Sequence, residues 1–387
     1  MLYEFHMLKN YPPTNLNRDD TGAPKTCMFG NVTRGRVSSQ CLKRAWRKSD
    51  IFREEIGEEN LGFRTRKLPG LVSEKLLEMG VDKEKVDALE PKISEFGKKD
   101  KEENNKQDKK GSKKEDKKGN YTAQVVFYAA EDIEAVATIM KGFLDNCATR
   151  KDVDKLKSKD LQDAIKGADM RPVTVDIALF GRMVTSDAFR DVEAAMQVAH
   201  AISTNKILME SDYFTAMDDM LSGDSMDEMG AGMIGDIDYN SSCYYIYASL
   251  DTDILKENLR YSPDADRVVR KTIPALLKAM AFTNPSGKQN SFAGHVLPSA
   301  VMVECKSRKI PTSLANAFVQ PVGGKDLVKE SIRSMMAEVD MLARNFQIPV
   351  DERIWFCVDK YDVHPESATK CCKSFSELVD AAVESLK

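Results

Sequence analysis

At 387 residues the chain exceeds one ordinary domain, and 42% hydrophobic with 30% charged residues excludes a disordered or fibrous polymer. No apolar run reaches the roughly 18 residues of a spanning helix and the start, MLYEFHMLKNYPP, lacks a signal-peptide core, so a cytoplasmic protein without a membrane is expected. The formal charge of -4 argues against a uniformly basic surface, yet eight Lys or Arg stand against two acids between Arg18 and Lys48.

Leu2 to Leu8 reads as a half-buried strand, with Tyr3, Phe5 and Met7 on one side and Leu2, Glu4, His6 and Leu8 on the other. After a loop rich in Pro, Asn, Asp and Gly, Ser38 and Ser39 offer an N-cap for a helix running to about Asp50. Leu42, Ala45 and Trp46 fall at i, i+3 and i+4, so Lys43, Arg44, Arg47 and Lys48 take the remaining surface. Like charges at i and i+4 repel, and an anionic partner removes that penalty; a solvated face is the alternative.

Residues 51–168 read as mostly helical, interrupted between Gly97 and Asn120 by a stretch with ten lysines, six acids and no apolar residue, expected to be a mobile loop. Val173, Val175, Ile177 and Leu179 alternate with Thr174, Asp176, Ala178 and Phe180, which predicts a strand. A helix is predicted next, with Val192, Ala195, Met196, Ala199 and Ile202 as its apolar stripe and His200 as a packed or capped histidine beside it. The Gly- and Met-rich run ending at Asn240 predicts a protruding hairpin or loop. Strands follow at Cys243 to Leu250, Val296 to Glu304 and Trp355 to Val358, with helices at Asp264 to Phe282, kinked at Pro274, and at Lys325 to Phe346. Strands alternating with single helices on one sheet fit an α+β fold of the RNA-recognition-motif (ferredoxin-like) type.

Phosphate-loop, dinucleotide and H-E-x-x-H motifs are absent, and four scattered histidines form no local cluster, so no metal site is read from them. Eight cysteines without C-x-x-C spacing read as reduced thiols, with Cys41, Cys147 and Cys243 expected in packed surroundings. Adjacent Asp19 and Asp20 are the nearest thing to a catalytic pair, able to hold Mg²⁺ against a phosphate; ion pairing or loop capping is the alternative. What remains is a binding constellation. Arg18, Arg34, Arg36, Lys43, Arg44, Arg47 and Lys48 neutralise phosphates, and Ser38, Ser39 and Gln40 donate hydrogen bonds. Met183, Phe214 and the Met-rich protrusion offer apolar contacts to bases, as a sequence-indifferent single-strand binder requires.

The stretches NLNRDD, GRVSSQCLKRAWRKS, VDIALFGRMVTS, AHAISTNKILMESDYFTAMDDM and PTSLANAFVQPV resemble the CasC family, the backbone subunit of type I-E CRISPR Cascade. The resemblance implies an RRM-like palm (1–50, 171–203 and 243–387), a helical finger insertion (51–170, with the Lys-rich loop 98–120) and a thumb hairpin (204–242). It implies a non-enzymatic role without cofactor, with the crRNA guide, target DNA, further copies of the chain and other Cascade subunits as partners. Arg18, Lys25, Ser38, Gln40, Lys43, Arg44, Arg47 and Lys48 resemble its guide-backbone contacts; Met183, Phe214 and Thr215 resemble the elements at a displaced nucleotide. The Lys-rich loop and the Gly- and Met-rich thumb depart from the family pattern. Competing readings are a metal-dependent ribonuclease using Asp19 or Asp20 and a monomeric RNA-binding protein.

Overall fold

The computed structural model describes residues 1–96, 121–167, 172–186, 188–216, 233–262, 264–361 and 363–386. The Lys-rich loop and the middle of the Gly- and Met-rich run lie outside the described residues. The strands are β1 (Leu2–Thr14), β2 (Thr26–Phe29), β3 (Val32–Val37), β4 (Phe63–Thr65), β5 (Val126–Tyr128), β6 (Met196–Val198), β7 (Ala201–Ser203), β8 (Glu210–Ala216), β9 (Met233–Asp251), β10 (Ala300–Lys306), β11 (Glu352–Cys357) and β12 (Lys370–Cys372). With helices between them they form an α+β fold of two compact units.

The first unit comprises Met1–Glu55, Met196–Thr252 and Arg270–Lys387. Its sheet runs β12-β11-β10-β1-β9-β7-β3-β2, with β6 and β8 also paired to β9. β1 is hydrogen-bonded along both edges, to β10 and to β9, and every residue from Leu2 to Leu8 is buried. The half-buried expectation for this strand is thus corrected, because both faces of the sheet are covered. On one, the Leu327–Phe346 helix, capped by Asp326, sets Val328, Ile332, Met335 and Val339 against Leu8, Met302 and Trp355. On the other, Phe375 of the Phe375–Glu384 helix meets the rings of Phe356 and Phe282.

The β-register builds a buried charge network across three strands. Glu4 lies opposite Glu304, which lies opposite Arg353, so three charged side chains share one face. Two carboxylates so placed repel, and Lys306 relieves them by pairing with both Glu4 and Glu304, while Arg353 Nε pairs with Glu304 at 2.6 Å. Tyr247 and the Thr312 N–H donate to the remaining Glu4 oxygen. Paired and hydrogen-bonded in this way, the charges are tolerated inside the unit.

The second unit, Ile56–Ala195 with Asp253–Val269, is mainly helical around the β4–β5 pair. Leu68, Val72 and Leu76 repeat at i+4 in the Leu68–Glu78 helix, and Val136, Met140 and Leu144 do so in the Ala130–Asp145 helix; both stripes enter one core. Asp132 pairs inside it with Arg182 at 2.8 Å and caps its own helix by accepting from the Ala129 N–H. This unit begins later than the expected insertion and includes 172–195, which the sequence reading assigned to the palm.

Two predicted elements are corrected. The strand expected from Val173 is a short helix, Val175–Phe180, buried on every side, so hydrophobic alternation carried no information there. Asp176 accepts from the Gly62 N–H at 2.8 Å, and Gly181, at a φ of 79°, ends the helix. The helix expected over Val192 to Ile202 is instead β6 and β7. The long β9 offers them an edge, on which Met196 pairs with Leu250 and Ile202 with Tyr245. Available backbone partners outweighed the local apolar period. The helix Ala265–Phe282 contains Pro274 as read, and all eight cysteines are free thiols, with Cys147 and Cys243 buried and Cys41 partly so.

Lys9, on β1, is buried with its Nζ donating to the Thr283 carbonyl at 3.2 Å and the Asn284 Oδ1 at 3.3 Å. Burial pushes its pKa from 10.5 down to about 7. In the unfolded chain this lysine stays protonated up to its ordinary value, so between about pH 7 and 10.5 the unfolded state binds more protons and stability rises with pH. Lys9→Met is expected to flatten that rise and to stabilise the protein at neutral pH and below, measured by urea denaturation at about pH 7 and pH 9.5. A slope identical to wild type would assign the proton to another group.

Candidate nucleic-acid interface

The candidate surface lies in the first unit, where the chain turns from β3 into the Ser39–Lys48 helix. The β2–β3 hairpin closes through Gly30 and Asn31, both with φ near 60° (59° and 60°), the two-residue turn that suits the twist of a hairpin. Gly30 is needed for a second reason: a Cβ there would stand 2.0 Å from the Val319 carbonyl oxygen. β3 then pairs with β7, Arg36 opposite Ile202 and Val37 opposite Ala201.

Arg34 decides the placement of this corner. Its guanidinium is fully buried and donates through Nη1 to the carbonyls of Ser203 (3.1 Å) and Thr204 (2.8 Å), and through Nη2 to those of Phe318 (2.8 Å) and Val319 (3.0 Å). Gly35 N–H donates to Ser203 Oγ at 3.0 Å, and Val322 N–H to the Thr204 carbonyl at 2.8 Å. Three segments far apart in sequence therefore meet at one side chain. Arg34 was nominated as a phosphate contact, and that reading is corrected: its donors face the interior.

The loop bearing Arg18 and Lys25 is tied to the helix start. Ser38 N–H donates to Asn17 Oδ1 at 2.9 Å, Lys25 N–H to the Asn17 carbonyl at 2.8 Å, and Arg36 N–H to the Lys25 carbonyl at 2.8 Å. Ser38 Oγ accepts from the Cys41 N–H at 3.3 Å, so this buried serine is the N-cap and presents little surface to a ligand. Leu42 and Trp46 are buried beneath the helix as the periodicity required. Arg18, Gln40, Arg44 and Lys48 are exposed, and Lys25, Arg36, Ser39, Lys43 and Arg47 are partly exposed. Lys25 and Arg44 both act electrostatically on the Cys41 thiol, which places the loop cation and a helix cation around one point. Burial outweighs them and raises that thiol.

Asp19 has a local task. Its Oδ1 accepts from Thr21 N–H (2.9 Å), Thr21 Oγ1 (2.7 Å) and Ala23 N–H (3.1 Å), and these bonds, the Thr21 hydroxyl foremost, lower its pKa. Among the described residues no group of three or more His, Cys, Asp or Glu side chains is arranged to hold a metal ion.

Phe214 and Thr215 lie on β8, paired with Gly235 and Ile234 of β9. The Phe214 ring covers Gly235 so closely that a Cβ there would stand 2.7 Å from it. Glu210, Asp212, Asp236 and Asp238 stand along the same two-stranded arm, and no Lys, Arg or His occurs between Lys206 and Lys256. Such an arm is unsuited to gripping phosphate; its contribution is apolar and aromatic, through Phe214 and the 64% exposed Tyr213. Met183 belongs to the second unit, where it is 89% exposed on the rim of a groove of about 650 Å³ floored by Phe127, Phe180 and Val192.

His200 was read as a packed or capped histidine, and that reading is corrected. Placed by its neighbours on a predicted helix, it stands instead exposed between β6 and β7, 3.0 Å from Arg36. Recognising β6 and β7 as strands is the signal that would have moved it to the surface.

The sequence matches the model of the family described as CT1975-like protein over residues 3–381. Of solved structures, a chain titled "CRISPR RNA-guided surveillance complex, pre-nicking" aligns over 100% of both chains at 27% identity and a TM-score of 0.82. Another, titled "CRISPR RNA-guided surveillance complex", aligns over 99% of both at 24% identity and a TM-score of 0.70, a likeness of fold alone. No protein of curated function matches the chain.

Replacing Arg34 by methionine removes the guanidinium donor from four carbonyls, of which that of Thr204 keeps the Val322 N–H. It is expected to cost on the order of 3 kcal/mol of folding stability by chemical denaturation, whereas Arg44→Ala should stay within about 0.5 kcal/mol. Equal effects of the two substitutions would contradict the division of roles between them.

Proposed function

The chain belongs to the CT1975-like protein family, and from that membership we propose that it is a non-catalytic guide-RNA-binding backbone subunit of a Cascade surveillance complex, of type I-E. In this reading several copies line up along the crRNA spacer, hold its sugar-phosphate backbone and leave the bases open to pair with target DNA. Pairing then reads sequence while the protein reads backbone and shape. The assignment to the CasC subunit rests on the five quoted stretches. It is supported by the meeting of three of them around Arg34 and Ser38: the first at Gly35 and Ser38, the second at Ser203 and Thr204, the third at Phe318 to Val322.

The observation that carries the proposal is the cationic corner itself. Arg18, Lys25, Arg36, Lys43, Arg44, Arg47 and Lys48 come from one loop, one strand and one helix, held by Asn17 and Arg34, in a chain whose total charge is negative. A surface of this kind follows a phosphate backbone without selecting bases. Phe214, Thr215 and Met183 are the side chains proposed to wedge against a displaced nucleotide. The reading as a ribonuclease has weaker support, because Asp19 is occupied in capping its own loop.

Affinity for single-stranded RNA should fall with salt at about 0.7 log units per log unit for each phosphate neutralised. Changing Lys43, Arg44, Arg47 and Lys48 together to alanine is expected to lower that slope by up to about 2.8, measured by RNA binding across a salt series. An unaltered slope would remove the helix from the interface. Matched RNA incubated with the RNA-loaded assembly and Mg²⁺ is expected to stay intact; cleavage lost on Asp19→Ala or Asp20→Ala would replace the scaffold reading by the enzymatic one.

A further inference from the structure

The sheet brings three nitrogen-bearing side chains to one face. Arg36 N–H bonds to the Lys25 carbonyl on one side, and Arg36 pairs with Ile202 on the other. Residues opposite each other in a ladder share a face, and so does the residue two positions along the partner chain, here His200. The side chains confirm it: Arg36 Nη1 lies 3.0 Å from His200 Nδ1, and Arg36 Nε donates to the Thr26 carbonyl at 3.1 Å.

A guanidinium has only donors, so the imidazole Nδ1 must accept, and the ring is neutral with its proton on Nε2. Two of the five Arg36 N–H groups are engaged in these bonds, which leaves three beside the Lys25 ammonium and the His200 Nε2–H. Free donors converging from one strand and two loops, with no carboxylate among the three side chains, suit a tetrahedral oxyanion with two non-bridging oxygens.

We propose that Lys25, Arg36 and His200 form one phosphodiester-binding seat on this surface, in which His200 is a proton-linked contact. The proposal rests on the RNA-binding reading and adds to it a residue and a pH dependence. Burial first, then the charges of Arg36 and Lys25, hold the pKa of His200 below the ordinary histidine value. Facing it are Arg36 from β3 and Lys25 from the preceding loop; the nearby thiols of Cys27 and Cys41 are raised by burial and stay neutral. Tyr247 of β9 meets this segment through its carbonyl, which accepts from Ala199 N–H. A phosphodiester seated among these groups supplies the negative charge they lack. The imidazole then takes a proton from solvent at Nδ1, releases Arg36 Nη1 and becomes a third cation on the phosphate, beside Arg36 and Lys25. The pKa of His200 is higher in the complex than in the free protein, so affinity rises as pH falls through the histidine range.

The test uses the full chain and a single-stranded RNA of random sequence at fixed salt, with affinity measured at about pH 7.5 and pH 5.5 for wild type, His200→Gln and His200→Arg. Acidification is expected to strengthen wild-type binding about three- to tenfold more than His200→Gln, since one unit of pKa shift corresponds to a tenfold change. His200→Arg should bind at least as tightly as acidified wild type and follow His200→Gln in its pH response. If wild type and His200→Gln bind RNA and gain equally on acidification, the seat is overturned while the guide-binding reading stands. If none of the three binds RNA at either pH although all are folded, the guide-binding reading falls and takes the seat with it.

Discussion

A single buried guanidinium sets the geometry of the cationic corner. Arg34 is a full charge inside the unit whose hydrogen bonds run to the carbonyl oxygens of Ser203, Thr204, Phe318 and Val319. Burying a cation is costly unless its donors are satisfied, and four converging carbonyl dipoles engage both Nη groups, leaving only the buried Nε without a partner. In return they fasten the β2–β3 hairpin to segments nearly 170 and 285 residues further along (|i−j| of 169 to 285). Two positions later on the same strand, Arg36 is partly exposed and bonds instead to the Thr26 carbonyl and to His200. The difference between the buried and the partly exposed arginine is made by the Phe318–Val319 segment, whose carbonyls accept from Arg34.

Charge in this protein is sorted by location more than by amount. The interior network of Glu4, Glu304, Lys306 and Arg353 balances two acids with two bases. The corner around the Ser39–Lys48 helix is basic, while the arm of β8 and β9 is acidic over its described length. A total of -4 therefore coexists with a surface suited to an anionic polymer. The acidic arm would repel an anionic polymer laid along it, so of the two only the corner offers such a polymer a favourable field. Asn17 completes the arrangement by tying the loop of Arg18 and Lys25 to the helix cap, so loop and helix cations move as one surface.

The short helix with its buried Leu42 and Trp46, its Ser38 cap and its outward cations was legible in sequence, because cap chemistry and a 3.6-residue period are local properties. So were β1, β9 and the Leu327–Phe346 helix, whose apolar patterns are long. The segment Val175–Phe180 was misread because it is buried all round, which erases any period, and β6 and β7 because only the edge of β9, some fifty residues away, makes them strands.

The amino-acid order by itself determined the α+β class, the concentration of cations between Arg18 and Lys48, and which face of the helix carries them. Tertiary structure alone decided that Arg34 turns inward, that Ser38 serves the helix and that His200 joins Arg36 at the surface. Local spacing encodes the period of an element and the residues that cap it. Whether a charged side chain ends in solvent or among carbonyls depends on distant backbone, and no window of neighbouring residues contains that partner.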